Sequence, residues 1–230
     1  MQKESINSRS EIILGKENIE YLSLKKIAVI GLGGVGSIIP LVLVRSNIRK
    51  IILIDNDFVN VSNLNRQIAY DQNDLGKPKV EALKEKLFNI RDDLEIEIYH
   101  KKIDANFDFN ILKDVNYVID CIDDLEGKVL LTKYCYFHNI KIVNSLGMGY
   151  KLDPTNVEII SLNKTTTDPL AKKFRYLLKK ENIDISKITT AFSSEPIIIK
   201  GKEIGSMAFV PNAAGLALAS FVIREIIKEK

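Results

Sequence analysis

The chain has 230 residues, of which 46% are hydrophobic and 27% charged, and its net charge is +3. This is the composition of a soluble protein with a sizeable core, and the charge is too small to argue by itself for a polyanionic partner. Two cysteines, Cys121 and Cys135, exclude a disulfide framework and a Cys-x-x-Cys zinc pair, so the expectation is a cytoplasmic protein without zinc.

A polar start with no apolar signal core leads through Arg9 to a short helical pattern over 16–24. The run Ile27-Ala28-Val29-Ile30 has the unbroken apolar character of a buried parallel strand. Glycines follow at 31, 33, 34 and 36, in the pattern G-x-G-x-x-G, and open into a helix over 36–47. Pro40 falls near the first turn of that helix, where a missing N–H matters little. A second strand, Ile51-Ile52-Leu53-Ile54, ends on Asp55. A polar loop runs to about residue 75. A helix then starts at Gly76-Lys77-Pro78-Lys79 and continues to 89, with Pro78 suited to its first position. Residues 94–99 alternate apolar and charged side chains, as a half-exposed strand does. Tyr117-Val118-Ile119 reads as a buried strand that ends on Asp120, and a helix over 125–139 returns to a strand over 141–144.

This βαβαβ order predicts an α/β chain with a doubly wound, Rossmann-like, mostly parallel sheet. The nucleotide-binding part spans about 1–150. Residues 151–230 are expected to extend the same single domain and to carry the substrate and crossover part. There, 157–162 reads as a strand, and Asp168-Pro169 starts a basic helix that runs to about 180, with Asp168 as cap. Segment 182–206 is polar and lacks periodicity, and it reads as a crossover. The apolar stretch 207–223 is interrupted by Pro211, Asn212 and Gly215, so a loop followed by a buried helix is expected rather than a membrane span. Residues 164–202 hold nine basic and four acidic side chains, a local +5. That excess suits nucleic acid, and equally a solvated lysine-rich helix.

A strand, a glycine turn and a helix in that order suit a nucleotide phosphate, and Asp55, 24 residues after Gly31, can reach ribose hydroxyls. A nicotinamide-dependent oxidoreductase is the default owner of such a turn. Three features point elsewhere. The loop after Asp55 holds Asp57, Asn63 and Arg66, and an arginine beside phosphate can stabilise charge on a transferring group, although Arg66 alone also reads as a surface ion pair. Lys79 opens a helix, where cation and dipole together can hold a triphosphate. Asp120-Cys121-Ile122-Asp123-Asp124 ends a central strand, on the side where open α/β sheets bind ligands, and a carboxylate there can hold Mg²⁺. Arginine, lysine and aspartate on one edge suit nucleotidyl transfer. His100 and His138 fall in the scaffold and read as structural.

At these residues the chain resembles the adenylating family of ubiquitin-activating-type enzymes, which includes the activators of the sulfur carriers of thiamine and molybdopterin synthesis. The resemblance is carried by Gly31 to Ser37, Asp55, Ser62-Asn63-Leu64-Asn65-Arg66-Gln67, Gly76-x-x-Lys79 and the 120–124 run, with eleven residues from Asp55 to Arg66 and thirteen from Arg66 to Lys79. It implies ATP, Mg²⁺ and an acyl-adenylate. Gly31, Gly33, Gly34, Gly36, Asp55, Asp57, Asn63, Arg66 and Lys79 would bind the nucleotide, Asp123 would hold the metal, and Arg66, Lys79 and Asp123 would be catalytic. It also implies a homodimer in which Arg9 reaches the partner's ATP; taken alone, Arg9 reads equally as a plain surface residue. In the second half, Ser145-Leu146-Gly147-Met148-Gly149-Tyr150-Lys151-Leu152-Asp153-Pro154-Thr155, Lys164-Thr165-Thr166-Thr167-Asp168-Pro169-Leu170-Ala171 and Gly205-Ser206-Met207-Ala208-Phe209-Val210-Pro211 resemble the branch that dehydrates threonylcarbamoyladenosine on the anticodon loop of tRNA. Gly-Met-Gly at 147–149 and Ile39-Pro40 depart from the usual pattern without touching a charged position. The resemblance leaves a monovalent cation and a sulfur-relay partner open.

A sulfur-carrier activator, acting on a C-terminal Gly-Gly, is the first alternative. Activators that pass their substrate through a thioester or persulfide need a reactive thiol in a late loop. No cysteine follows Cys135, and both cysteines read as inert core residues. The adenylate would then be consumed by cyclisation within the substrate.

Overall fold

The aliphatic runs of the first half form the middle of one seven-stranded sheet in a computed structural model that describes residues 5–166, 168–197 and 204–230. In chain order the elements are α1 (Ser8–Leu14), α2 (Lys16–Ser23), β1 (Lys26–Ile30), α3 (Ile38–Arg45), β2 (Lys50–Ile54), α4 (Lys79–Phe88), β3 (Glu95–Tyr99), β4 (Tyr117–Asp120), α5 (Leu125–Phe137), β5 (Ile142–Ser145), β6 (Val157–Ser161), α6 (Pro169–Lys180), β7 (Thr189–Ser193) and α7 (Phe209–Lys228). Strand order is β3-β2-β1-β4-β5-β7-β6, parallel throughout except for the antiparallel β6–β7 pair. The expected doubly wound sheet is the observed one.

Side chains of a strand alternate between faces, and both faces here are apolar. Ile27, Val29, Ile51, Leu53 and Ile119 pack with α2, α3, α4 and α7. Ala28, Ile30, Ile52, Ile54 and Val118 pack with Leu131 and Cys135 of α5 and with Ile103, Phe107 and Leu112. Burial on both sides explains why β1 and β2 are unbroken apolar runs in sequence. A third cluster seats Ala171, Phe174 and Leu178 of α6 against Leu162, Ile185 and Phe192. Asp168 caps α6 as expected, accepting the Leu170 and Ala171 N–H groups at 2.8 and 3.3 Å.

Two expectations change, and a third is made precise. Segment 182–206 contains a strand, β7, which lies between β5 and β6. Its sequence, Thr-Thr-Ala-Phe-Ser, hides a nearly buried strand because its polar groups find partners inside: the Thr190 hydroxyl donates to Ile160 O (3.1 Å), and Ser193 O accepts from Lys151 Nζ (2.7 Å). The apolar stretch 207–223 opens, as expected, on non-helical residues and passes into a helix with a buried face; α7 starts at Phe209 and runs unbroken through Pro211, Asn212 and Gly215. Pro211 is its third residue, where no intrahelical N–H bond is needed. By length and composition α7 is the one helix among the described residues able to cross a membrane; half of its apolar window is buried within the fold. Pro78 is the cap before α4 rather than its first residue. Lys200 and Lys202 of the basic stretch, and Thr167 of the motif before Pro169, lie outside the described residues.

Candidate active site

Strand order reverses between β1 and β4, and at that switch point a cleft of about 720 Å³ opens. Gly31, Gly33 and Gly34 line it. Gly31 has φ +83°, and a Cβ there would lie 2.7 Å from the backbone of Cys121, so only glycine fits where β1 leaves the sheet beside β4. Gly36 does not line the cleft. A Cβ on it would sit 1.8 Å from Gly31 O, so its part is to let the turn close.

Asp55 ends β2 within the same wall. Its Oδ2 accepts the Leu32 N–H (2.5 Å) and its Oδ1 the Asp57 N–H (2.7 Å), which ties the acid to the glycine turn. Burial pushes its carboxyl up from the ordinary range, while the nearby Lys79 ammonium and the two N–H bonds pull it back. Asp57 Oδ2 accepts from Lys79 Nζ at 2.7 Å, and the Lys79 N–H donates to Asp57 O at 3.0 Å. Lys79 is thus fixed at the first residue of α4 with its side chain almost fully buried. An ammonium has three donors, so two remain for a ligand in the cleft.

Arg66 is half-buried in the wall, its Nη1 donating to Ser62 O (2.8 Å) and Asn65 Oδ1 (3.0 Å). Asn63 also lines the cleft, and its Oδ1 accepts the Asn60 N–H (3.1 Å), so it shapes this loop as well as facing the space. Asp123 and Asp124 follow β4. Asp124 Oδ2 caps α5 through the Gly127 N–H (2.9 Å), whereas Asp123 is exposed in the wall. Arg9, exposed on α1, does not line its own chain's cleft. Ser145 to Tyr150, Asp168 to Leu170, Ser206 and Pro211 line the same cleft, so both parts of the chain share it.

Several further residues build the site, and their roles show only in the folded chain. Asp120 does not face the cleft: it is fully buried, its Oδ2 bound to Lys128 Nζ (2.7 Å) and its Oδ1 accepting the Ile122 N–H (2.9 Å). Lys128, one cation in an otherwise apolar stretch of α5 eight residues after Asp120, is the signal the sequence offers for this pair. Gln67 is buried in the wall, and its Oε1 has no partner. Asn212 Nδ2 donates to Arg66 O (2.8 Å) and Asn65 Nδ2 to Ser206 O (2.9 Å), so α7 and the segment before it brace the Arg66 loop. Cys121 borders the cleft and is half-buried, which corrects its expected place in the core. Burial, together with the Asp120 charge, pushes its thiol well above the ordinary range, and burial does the same to Cys135. Both histidines are scaffold groups: His100 Nε2 bonds Asn56 O, and His138 Nδ1 bonds Tyr134 O, each at 2.8 Å.

A buried lysine and a half-buried arginine beside a glycine turn suit the phosphates of a nucleotide, and the unpartnered Gln67 Oε1 suits a donor on its base or ribose. Comparison with known proteins agrees. The model of the ThiF family matches residues 7–226. A Bacillus subtilis protein named tRNA threonylcarbamoyladenosine dehydratase is 35% identical over 96% of this chain and 94% of its own. A Haemophilus influenzae protein of the same name is 31% identical over 93% and 90%. The crystal structure of Escherichia coli tRNA N6-threonylcarbamoyladenosine dehydratase with AMP superposes with a TM-score of 0.91 at 29% identity, covering 96% of this chain and 93% of that one. The same enzyme solved with ATP gives 0.90. With its glycine turn, its Asp55–Lys79 wall and its matched length, the chain belongs to the ThiF family.

Proposed function

We propose that this protein is a cytoplasmic, homodimeric enzyme that dehydrates threonylcarbamoyladenosine in tRNA at the expense of ATP. The observation that carries the reading is the likeness to dehydratases along nearly the whole chain, second half included. In this reading the substrate carboxylate attacks the α-phosphorus of ATP, and pyrophosphate leaves. An atom of the substrate's own side chain then displaces AMP from the acyl-adenylate and closes a ring. The lost water's oxygen leaves with AMP.

The chain's part is to position and to neutralise. The glycine turn would take the phosphates, Asp55 the ribose and Gln67 Oε1 a donor of the nucleotide. Lys79 and Arg66 would meet the charge that grows as pyrophosphate departs. Asp57 holds Lys79 in place for this. Among the described residues no group of three or more His, Cys, Asp or Glu could hold a metal ion. That fits Mg²⁺, which one or two carboxylates and substrate phosphates commonly hold. Asp123 would be that carboxylate, and the ion would screen triphosphate charge when bound. The exposed Ile12 and Ile13 on α1, beside Arg9, are the apolar surface a dimer would bury, and Arg9 would then act across the interface.

Direct cyclisation needs no thiol. A Cys121→Ala, Cys135→Ala double variant should therefore form AMP from Mg-ATP and threonylcarbamoyladenosine-bearing tRNA at nearly the wild-type rate. A folded but inactive double variant would favour covalent transfer and a sulfur-carrier substrate instead.

A further inference from the structure

Pro169 and Leu170, the first two residues of α6, line the cleft. The helix carries five basic side chains and no acid. One face, Ala171, Phe174 and Leu178, is buried. Arg175 is turned inward: it donates to Thr165 O (2.8 Å) and to the Thr165 hydroxyl, so it is spent on the loop before the helix. Lys172, Lys173, Lys179 and Lys180 are exposed, and Tyr176 lies among them with 59% of its surface exposed. Lys180 Nζ sits 4.6 Å from the Tyr176 ring centroid. Spacings of three and four residues put these five groups on one side of the helix.

A solvated lysine-rich face accounts for part of this. Lys179 and Lys180 occupy the last turn, where the helix dipole favours cations. Lys172 and Lys173 stand near the opposite end, where the dipole disfavours them, and the Tyr176 ring stays 59% exposed despite its contact with Lys180. Cations around an exposed ring are what unpaired nucleotides use: lysines for phosphates and a π-face for a base. By helical rise, Tyr176 is about 10 Å along the axis from Pro169, within reach of a nucleotide next to one held in the cleft.

We propose that the outer face of α6 is a single-stranded RNA site in which Tyr176 stacks an unpaired base flanking the modified nucleotide, while Lys172, Lys173, Lys179 and Lys180 take neighbouring phosphates. This rests on the reading of tRNA as substrate. The test is the affinity of a labelled anticodon stem-loop RNA, and of a duplex RNA of equal length, at several salt concentrations. ATP binding of each variant serves as the check on folding. Tyr176→Ala should weaken stem-loop binding about tenfold with its salt slope unchanged, whereas Tyr176→Phe should bind as wild type. Tyr176→Leu, which keeps apolar cover on the helix but has no π-face, should behave like the alanine variant. Lys172→Glu with Lys173→Glu should flatten the salt dependence by about 0.7 for each phosphate that is no longer neutralised. Stem-loop affinity of Tyr176→Ala within twofold of wild type would overturn the proposal. So would an equal loss on the duplex, which offers no unpaired base. If wild type still dehydrates tRNA in either case, only the stacking site falls. A wild type that neither binds the stem-loop nor acts on tRNA overturns both.

Discussion

Replacing Arg66 by alanine should slow AMP formation by about 10²-fold or more, the usual loss when one preorganised charge-stabilising donor is removed. The effect should fall on kcat more than on KM for ATP, because in the proposed mechanism Lys79 and the glycine turn would still receive the ground-state nucleotide. Arg66 is held at both ends of its residue: Asn212 Nδ2 fixes its carbonyl, while Ser62 O and Asn65 Oδ1 hold the guanidinium by Nη1. The guanidinium can leave these exposed acceptors for a ligand without disturbing the buried brace. Arg66→Lys should not rescue, since an ammonium lacks the planar fork that pairs two phosphate oxygens. Turnover of Arg66→Ala within a few-fold of wild type would remove this residue from the mechanism.

The second large effect is on stability. Lys128→Met leaves Asp120 as a charge buried without its partner and should destabilise the fold by about 3–5 kcal/mol, seen as a lower denaturant midpoint at unchanged slope. Burial already raises the Asp120 carboxyl, and Lys128 opposes that rise. Without the lysine, the folded-state value climbs further above the unfolded one. The native state then binds the extra proton, so the deficit relative to wild type should be largest near neutral pH and shrink as pH falls through the Asp120 titration. Adding Asp120→Asn should recover much of the loss, since no buried charge then remains. A Lys128→Met variant as stable as wild type at neutral pH would mean that Asp120 is not held as an ion. The pair also serves the site, because Asp120 Oδ1 fixes the Ile122 N–H beside Asp123.

Much of this architecture is legible in the chain because its physics is local or periodic. Strands β1, β2 and β4 are buried on both faces and so are written as aliphatic runs. The glycine turn, Asp55, Arg66 and Lys79 stand at spacings that a strand–turn–helix frame brings to one edge. The rest depends on partners far away in sequence. β7 is polar because Ile160 O and Lys151 satisfy it, and neither is a neighbour in the chain. Helix α1 is hard to read from sequence because it buries no residue and leaves Ile12 and Ile13 outside, so no core-facing stripe marks it. Arg175 has the sequence context of a phosphate ligand, and only the fold places Thr165 beside it. Cys121 sits where β4 opens into the cleft, a position that strand periodicity does not distinguish from the core.

The most direct measurement is nucleoside mass spectrometry of tRNA bearing threonylcarbamoyladenosine, incubated with the protein and Mg-ATP. The modified nucleoside should lose the mass of one water, with one AMP released per nucleoside converted and no change when ATP is replaced by NAD. An unchanged nucleoside in the presence of folded, ATP-binding protein would contradict the dehydratase reading.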